Sequence, residues 1–270
     1  MGKYNIEYLE KEKEFEEKIK ARVESYVSDI DSHFAITDGA FNIEKYFTSP
    51  VRILWLLKEA FDDWDDEGNP VGGNFSISDC LYGVNGMQNT GYISPTFQKM
   101  IYCIYGIFYG EKYENMPYAK NIIDLGSAKY KETLERVVHI NANKLAALSS
   151  SNDNEVVSNF MNHWQDIVKE QIDYYVPDVI ICGGSAPFTC LCNIMPNLKT
   201  ASKVTRYVDS KVVVVQDDKS VLDKYSTVDG YYVDGKIILY PYHPGCRKDE
   251  EVYVDGVVET VKVLRSLYTV

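Results

Sequence analysis

The segment VRILWLLKEA, residues 51–60, decides the fold class of this chain. Six of its first seven residues are apolar, and a lysine and a glutamate follow at once. A run so short and so apolar is typical of a strand buried on both faces, since a helix of a globular domain is usually longer. The segment therefore predicts a buried β-strand that ends at a pair of charged residues.

Three further runs have the same brevity and β-branched content, at residues 137–140, 179–182 and 236–240. Helical stretches lie around them, over residues 94–108, 127–136, 154–175, 186–195 and 250–267. Strands that alternate with helices indicate parallel βαβ units covered on both faces. The predicted fold class is α/β, a three-layer α/β/α sandwich with a central, mostly parallel four-stranded sheet. Residues 201–232 fit either a further strand pair or an excursion packed on one edge of the sheet.

The N-terminal region has a pattern of its own. Residues 4–30 carry apolar side chains at helical spacing among alternating charges, which is typical of an amphipathic helix docked on a domain. We find no internal repeat and no linker rich in Pro, Gly or Ser. The sequence therefore predicts an N-terminal helical appendage over residues 1–45 and a single α/β domain over residues 46–270.

The charge balance bears on the partners of the protein. The chain of 270 residues has 28 basic and 40 acidic side chains, and its net charge is −12. Non-specific binding to nucleic acid depends on lysine and arginine that neutralise phosphates, and an acidic chain repels DNA at long range. The composition therefore argues against a processive DNA scanner, although a local basic groove remains compatible with it.

Localisation and cofactors are predicted from the N-terminal residues, the length of the apolar runs and the cysteines. The first twenty residues are charged rather than apolar, which argues against a signal peptide. No apolar run approaches the roughly 20 residues that span a bilayer. We therefore expect a cytoplasmic protein with no membrane partner. The six cysteines form no CxxC pair, so we expect reduced thiols and neither a metal nor another cofactor.

Residues of chemical rather than packing character follow each of the four apolar runs. They are Lys58-Glu59, Asn141-Ala142-Asn143-Lys144, Gly183-Gly184-Ser185 and His243-Pro244-Gly245. The carboxyl ends of parallel strands share one edge of a sheet, and ligands bind in the crevice there. The sequence therefore predicts a single site at that edge.

Most of these residues also have a purely structural interpretation. Glu59 fits a solvated charge, Asn141 fits a turn cap, and Gly183-Gly184 fits a tight turn that approaches no ligand. His243 lies between turn-forming residues at the edge of the sheet. A side chain in this position is not required for core packing, which favours a functional role. His139 lies within an apolar strand and is expected to be a core histidine with satisfied hydrogen bonds.

The order of these residues resembles the uracil-DNA glycosylase superfamily, and most closely its thermophile-type class, whose first motif is GEAPG. The similarity covers roughly residues 50–265. The matching segments are Lys58-Glu59-Ala60, Asp65-Asp66, Gly68-Asn69-Pro70-Val71-Gly72, Asn141-Ala142-Asn143-Lys144, Pro177 to Gly183, and His243-Pro244. Leu145 follows Lys144 where that class has a cysteine, so the resemblance does not extend to the iron–sulfur cluster of that class. The base-stacking phenylalanine of the GxPFVG element is absent, and Phe61, Phe75 or Tyr82 are the aromatic candidates to replace it.

The resemblance implies hydrolysis of the N-glycosidic bond of a flipped base, uracil or another modified base. Asn141 would bind the base edge, with Phe61 and Phe75 as base-binding aromatics. His243 would donate to the charge that develops on the departing base, and Glu59 would orient or activate water. Lys144 would contact a phosphate, and Gly183, Gly184 and Ser185 would form a phosphate-binding or structural turn. The partner would be DNA or a small molecule that contains a nucleobase.

Two other functions remain open at this stage. The acidic charge and the altered first motif favour a non-catalytic protein that binds a nucleobase, a nucleotide or modified DNA. An unrelated flavodoxin-like domain would use the Gly183-Gly184 turn to hold a phosphate at a helix N-terminus. The joint presence of Asn141 and His243 favours the enzyme, because a protein that only binds has less need of a histidine donor.

Overall fold

A computed structural model describes residues 3–26, 35–60, 75–82, 93–117, 128–145, 152–215 and 227–268. Its strands are β1 (Ile36–Thr37), β2 (Gly39–Ala40), β3 (Ile53–Leu57), β4 (Phe75–Ser76), β5 (Val137–Asn141), β6 (Val179–Cys182), β7 (Thr205–Val208), β8 (Lys211–Val214), β9 (Val228–Val233) and β10 (Lys236–Pro241). Within this part of the chain, eight strands form one mixed sheet in the order β2-β5-β3-β6-β10-β9-β7-β8, and β1 pairs with β4 in a separate two-stranded sheet.

Ten α-helices lie within the described residues. They are α1 (Lys3–Tyr26), α2 (Ile43–Phe47), α3 (Asp79–Tyr82), α4 (Pro95–Tyr109), α5 (Ala128–Glu135), α6 (Asp153–Asn159), α7 (Gln165–Tyr175), α8 (Ser185–Ile194), α9 (Pro196–Thr200) and α10 (Glu250–Tyr268). A 3₁₀ turn spans Tyr113–Asn115, and a π-helical turn at Phe160–Trp164 joins α6 to α7.

The four apolar runs of the sequence are strands β3, β5, β6 and β10. β3 pairs in parallel with β5 and with β6, and β6 pairs in parallel with β10. The predicted α/β class is confirmed. The predicted sheet of four mostly parallel strands is wrong, because β2, β7, β8 and β9 extend it to eight strands through antiparallel pairs.

Three of the additional strands, β7, β8 and β9, are formed by two tight hairpins. Asp209 and Ser210 join β7 to β8, and Asp234 and Gly235 join β9 to β10, all four with positive φ. Two consecutive residues with positive φ form the turn whose twist matches that of the flanking strands. Of the two interpretations of residues 201–232, the structure therefore shows further strands, and β7, β8 and β9 all belong to the main sheet.

Helices cover both faces of the sheet. Along β3, Ile53, Trp55 and Leu57 point into one apolar cluster with α4 and α10, while Leu54 and Leu56 point into a second cluster with α7 and α8. This alternation is the period of two that a strand imposes on its side chains. Because both faces of β3 are buried, the apolar run at residues 51–57 has no polar face.

The N-terminal helix belongs to the second of these clusters. Ile19 and Val23 of α1 are buried there, and β2 pairs with β5 of the main sheet. Residues before position 45, expected as a helical appendage, therefore contribute strand β2 to the main sheet as well as helix α1. A strand of two residues is too short for its periodicity to be detected in the sequence.

Glu12 connects α1 to the body of the protein and carries a testable consequence. The Tyr175 hydroxyl and the Ala40 backbone N–H donate to its carboxyl group at 2.5 and 3.3 Å. Burial raises the pKa of Glu12 to about 7, against the opposing effect of these two hydrogen bonds. Because the folded-state pKa lies above the ordinary value of 4.5, the stabilising effect of the protonated form is complete below pH 4.5 and lost as the pH rises through 7.

Glu12→Gln is therefore expected to raise the free energy of unfolding by about 1–2 kcal/mol at pH 8 and to change it little at pH 4. The amide oxygen can still accept from the Ala40 N–H, and the amide N–H can donate to the Tyr175 hydroxyl oxygen, which reverses the direction of the bond that Tyr175 donates to Glu12. The substitution also removes the buried charge. Urea unfolding of both proteins at the two pH values measures the difference. Glu17→Gln, at an exposed position of the same helix, is the control and should show no such pH-dependent gain. Equal stabilities of native protein and Glu12→Gln at pH 8 would contradict the prediction.

Candidate functional site at the carboxyl edge of the sheet

The loops after β3, β5, β6 and β10 meet at one edge of the sheet. Backbone hydrogen bonds continue past the strand ends: Ala142 N donates to Leu57 O at 2.8 Å, and Gly184 N donates to Pro241 O at 3.1 Å. The parallel register pairs Leu57 with Asn141. The structure therefore brings Glu59, Asn141, the Gly183-Gly184 turn and His243 to the same edge of the sheet.

Glu59 and Asn141 lie at the ends of neighbouring strands, and each has a polar atom without a partner in the described part of the chain. The Asn143 side-chain amide donates to Glu59 Oε2 at 3.1 Å. Among the described residues, Glu59 Oε1 and Asn141 Nδ2 are buried and have no hydrogen-bond partner. A buried polar group without a partner costs about 1–3 kcal/mol, so native proteins rarely keep one without a reason. These two atoms are therefore available to a ligand, one as an acceptor and the other as a donor.

The ring of His243 is held in one tautomer by its own turn. Gly245 N donates to His243 Nδ1 at 3.0 Å, so Nδ1 is the acceptor and the ring proton resides on Nε2. Burial lowers the pKa of His243 to about 4, and the positive charges of Lys58 and Lys99 lower it further in the same direction. At neutral pH the side chain is an uncharged imidazole with one N–H donor directed away from the turn.

Two side chains from neighbouring helices fix the turn that carries His243. Lys99 of α4 donates to the carbonyl oxygens of Cys246 and Lys248 at 2.6 and 3.0 Å. The Tyr253 hydroxyl of α10 donates to Tyr242 O at 2.9 Å. Neither Lys99 nor Tyr253 was among the predicted site residues, because nothing in the local sequence connects these helices with the final strand.

The Gly183-Gly184 turn owes its glycines to packing and to backbone conformation. A Cβ atom on Gly183 would lie 2.3 Å from Leu57 Cδ2, and Gly184 has φ 112° and ψ −178°, a region that only glycine occupies readily. The Ser185 hydroxyl donates to the Asp153 carboxylate, which also pairs with Lys58. Ser185 is therefore linked to the loop after β3 through Asp153.

Lys144 does not belong to the exposed part of the site, and its expected phosphate contact needs correction. Its side chain is 0% exposed, and Nζ donates to both oxygens of Asp38, at 2.8 and 2.7 Å, and to Gln171 Oε1 at 3.0 Å. Burial lowers the pKa of Lys144, while the Asp38 carboxylate opposes that shift. All three N–H groups are used within the protein, so Lys144 forms a structural ion pair.

The Lys144–Asp38 pair nevertheless holds the backbone of Asn141 in position. Asp38 Oδ2 also accepts a 2.6 Å hydrogen bond from the backbone N–H of Asn141. Gln171 Nε2 donates to Asp38 Oδ1 at 2.9 Å, which completes the shell around the carboxylate. The backbone position of Asn141 is therefore tied to a buried charge pair.

Of the three aromatic candidates, Phe75 and Tyr82 lie within the described residues. Phe61, the acidic loop at residues 62–67 and the Gly68–Gly72 element lie outside the described residues. The backbone of Phe75 forms β4 beside β1, and its side chain is not described. The Tyr82 hydroxyl donates to Glu135 at 2.5 Å, which ties Tyr82 to the end of α5.

His139 differs from the satisfied core histidine expected. It is 4% exposed and lies beside Phe97, with ring centroids 5.9 Å apart in an edge-to-face arrangement. Neither ring nitrogen meets the geometry of a hydrogen bond with a described residue, although the Asn141 side chain lies close enough to interact with the ring. The sequence contained a signal that could have found it, because residues two apart on a strand share one face and Asn141 follows at that spacing.

Comparison with known proteins gives no family for this chain. No protein-family model matches it, and no curated protein matches it. Within the described part of the chain, no group of three or more His, Cys, Asp or Glu side chains is placed to hold a metal ion. No described helix is both long and apolar enough to cross a membrane. The fold and the site thus define an α/β protein with a polar, partly unsatisfied cluster at the carboxyl edge of its sheet.

Proposed function

We propose that this protein is a glycosylase-type hydrolase that cleaves the N-glycosidic bond between a sugar and a flipped base, uracil or another modified base. The observation that carries the proposal is the His243–Gly245 contact, which leaves the proton of a neutral ring on Nε2. In the proposal, the Nε2–H of this neutral ring faces the base, on which negative charge develops as the bond breaks. Such a donor stabilises the transition state more than the ground state.

The proposed reaction assigns one role to each of three side chains. The C1′–N bond breaks and its electron pair goes to the base, where His243 Nε2–H donates to the developing anion. Asn141, whose Nδ2 lacks a partner in the described part of the chain, binds the base edge as donor and acceptor. Water adds to C1′, and Glu59 accepts its proton. The unpartnered Glu59 Oε1 supports this last assignment.

The proposal extends to the fold, a three-layer α/β/α sandwich of the uracil-DNA glycosylase type. The two apolar clusters on opposite faces of β3 support it, since each contains helices. The site lies where ligands bind in open α/β sheets, outside the carboxyl ends of the parallel strands.

The second candidate function is a non-catalytic protein that binds a nucleobase, a nucleotide or modified DNA. The burial of Lys144 favours the binding protein, because Lys144 is paired with Asp38 and does not make the expected contact with a phosphate. The net charge of −12 favours it as well, since contacts with the DNA backbone depend on positive charge. A small ligand would need no such contacts.

Single-turnover assays on short oligonucleotides test the proposal. The substrates carry uracil, other deaminated bases or modified cytosines, and the enzymes are the native protein and Asn141→Ala. We expect the native protein to release one of these bases, and Asn141→Ala to release it at least about tenfold more slowly because one base contact is lost. No release from any substrate, with the fold verified by circular dichroism, would exclude the hydrolase and leave the binding protein.

The salt dependence of oligonucleotide binding separates the two kinds of ligand. Each phosphate contact adds about one unit to the slope of log K against log salt. A steep slope would indicate DNA, and a flat line would indicate that the protein recognises a base or nucleotide without a long backbone.

A further inference from the structure

His139 and Asn141 form a polar patch on one face of β5. Two residues apart on a strand, their side chains lie about 7 Å from each other along the strand and point to the same side. Trp55 of β3 lies opposite His139 in the parallel register. All three side chains are buried. His139 precedes Asn141 by two residues on β5 and therefore lies deeper, meaning farther from the carboxyl edge of the sheet.

The patch contains four buried polar atoms that have no hydrogen-bond partner among the described residues. They are both ring nitrogens of His139, Asn141 Nδ2 and Trp55 Nε1. Two apolar residues at positions 139 and 141 would fill the same space without the cost of unpaired groups, which is about 1–3 kcal/mol for each. Structural packing alone therefore gives no reason for this composition.

The Asn141 side chain interacts with the His139 ring without the full geometry of a hydrogen bond, and no other described neighbour offers its ring nitrogens a partner. Phe97 contributes an aromatic edge, and Asp38 and Lys144 use their polar atoms in their own ion pair. Burial lowers the pKa of His139 to about 4; the Asp38 carboxylate and the Asn141 side chain oppose the shift, and Lys144 and His243 add to it. The ring is thus neutral, with one donor and one acceptor, and lies close enough to His243 for the two to interact.

We propose that His139 determines the specificity of the site by hydrogen-bonding a polar atom of the bound base beyond the edge that Asn141 contacts. The identity of the ligand as a base rests on the proposed function. Because His139 lies deeper than Asn141, the ligand must carry a polar group past the edge of a simple pyrimidine. The second ring of a purine supplies such a group, and so does a polar substituent on a pyrimidine.

Binding of free bases to the full chain tests this inference. The probes are hypoxanthine for the purines, 5-hydroxymethyluracil for the substituted pyrimidines, and uracil as the base without the additional group. Isothermal titration of the native protein is expected to give one of the first two an affinity at least about tenfold above that of uracil, the value of one hydrogen bond. Which of the two binds more tightly identifies the source of the polar group.

His139→Leu and His139→Gln are the matched variants. Leucine has a similar volume and no polar atom, so it should lower affinity for the preferred base about tenfold and leave the affinity for uracil unchanged. Glutamine offers a donor and an acceptor and should restore part of the loss. A readout that does not depend on a variant is the ¹⁵N spectrum of the four histidines, in which His139 should shift when the preferred base binds.

Three results would overturn the inference: no preference over uracil, equal weakening for every base in His139→Leu, or no ¹⁵N shift of His139 on binding. A failure of the proposed function looks different. Binding that depends on His139, without base release from any oligonucleotide, would keep His139 as the specificity residue of a binding protein. Base release that His139→Leu leaves unchanged for all substrates would keep the hydrolase and reject the inference.

Discussion

Replacing Lys144 with methionine is expected to lower the free energy of unfolding by about 3–5 kcal/mol, the cost of leaving a buried charge without its partner. Lys144 and Asp38 have side chains that are 0% exposed. Without the ammonium group, the Asp38 carboxylate keeps its hydrogen bonds from Gln171 and from Asn141 N, but no positive charge offsets its burial. Urea unfolding at pH 7 measures the loss.

The double variant Asp38→Asn with Lys144→Met separates charge from packing. Its residue 38 is neutral and can still accept the Asn141 N–H, so its loss of stability should be smaller than that of Lys144→Met by at least about 1 kcal/mol. A double variant that is less stable than the single one would show that the two residues contribute through packing. A loss below about 1 kcal/mol in Lys144→Met would contradict the buried ion pair itself.

His243→Asn is expected to lower the single-turnover rate constant of base release by about 10²–10³-fold, the range found when a preorganised donor to a developing anion is removed. The asparagine Oδ1 lies where His243 Nδ1 lies and can still accept the Gly245 N–H. The turn is therefore kept while the donor at Nε2 is lost. The substrate is the oligonucleotide that the native protein cleaves fastest.

His243→Gln is the matched control, because its amide N–H reaches the position of Nε2. It should recover part of the rate that His243→Asn loses. The low pKa of His243 adds a second check, since a ring that is neutral down to about pH 4 gives no change in rate as the pH passes 6.5. A full rate in His243→Asn, or a rate that rises with an apparent pKa near 6.5, would remove His243 from the proposed chemistry.

The sequence predicted the sheet better in its centre than at its edges. The runs that became β3, β5, β6 and β10 are apolar because both faces of these strands are covered, and that signal is local. β2 has only two residues, and β8 is largely exposed, so neither gives a periodic signal of burial. The Asp234-Gly235 turn was a usable signal that joined β9 to β10.

The site shows a similar division. That Glu59, Asn141 and His243 would share one edge followed from the rule that parallel strands end on the same side. Lys144 sits in the same N-x-x-K segment as Asn141, yet it points into the protein and binds Asp38. The sequence could not reveal this difference, because Asp38 lies 106 residues away along the chain.

By itself, therefore, the sequence determined the α/β class, the four central strands and the edge of the sheet where their polar ends meet. Short apolar segments suffice for this, because they show that a strand is buried on both faces, and parallel strands end at the same edge. Only the tertiary structure decided the tautomer and low pKa of His243, the pairing of Lys144 with Asp38 and the burial of His139 beside Phe97 and Asn141. Each of these depends on which distant groups surround an atom once water has been excluded, and local periodicity carries no information about them.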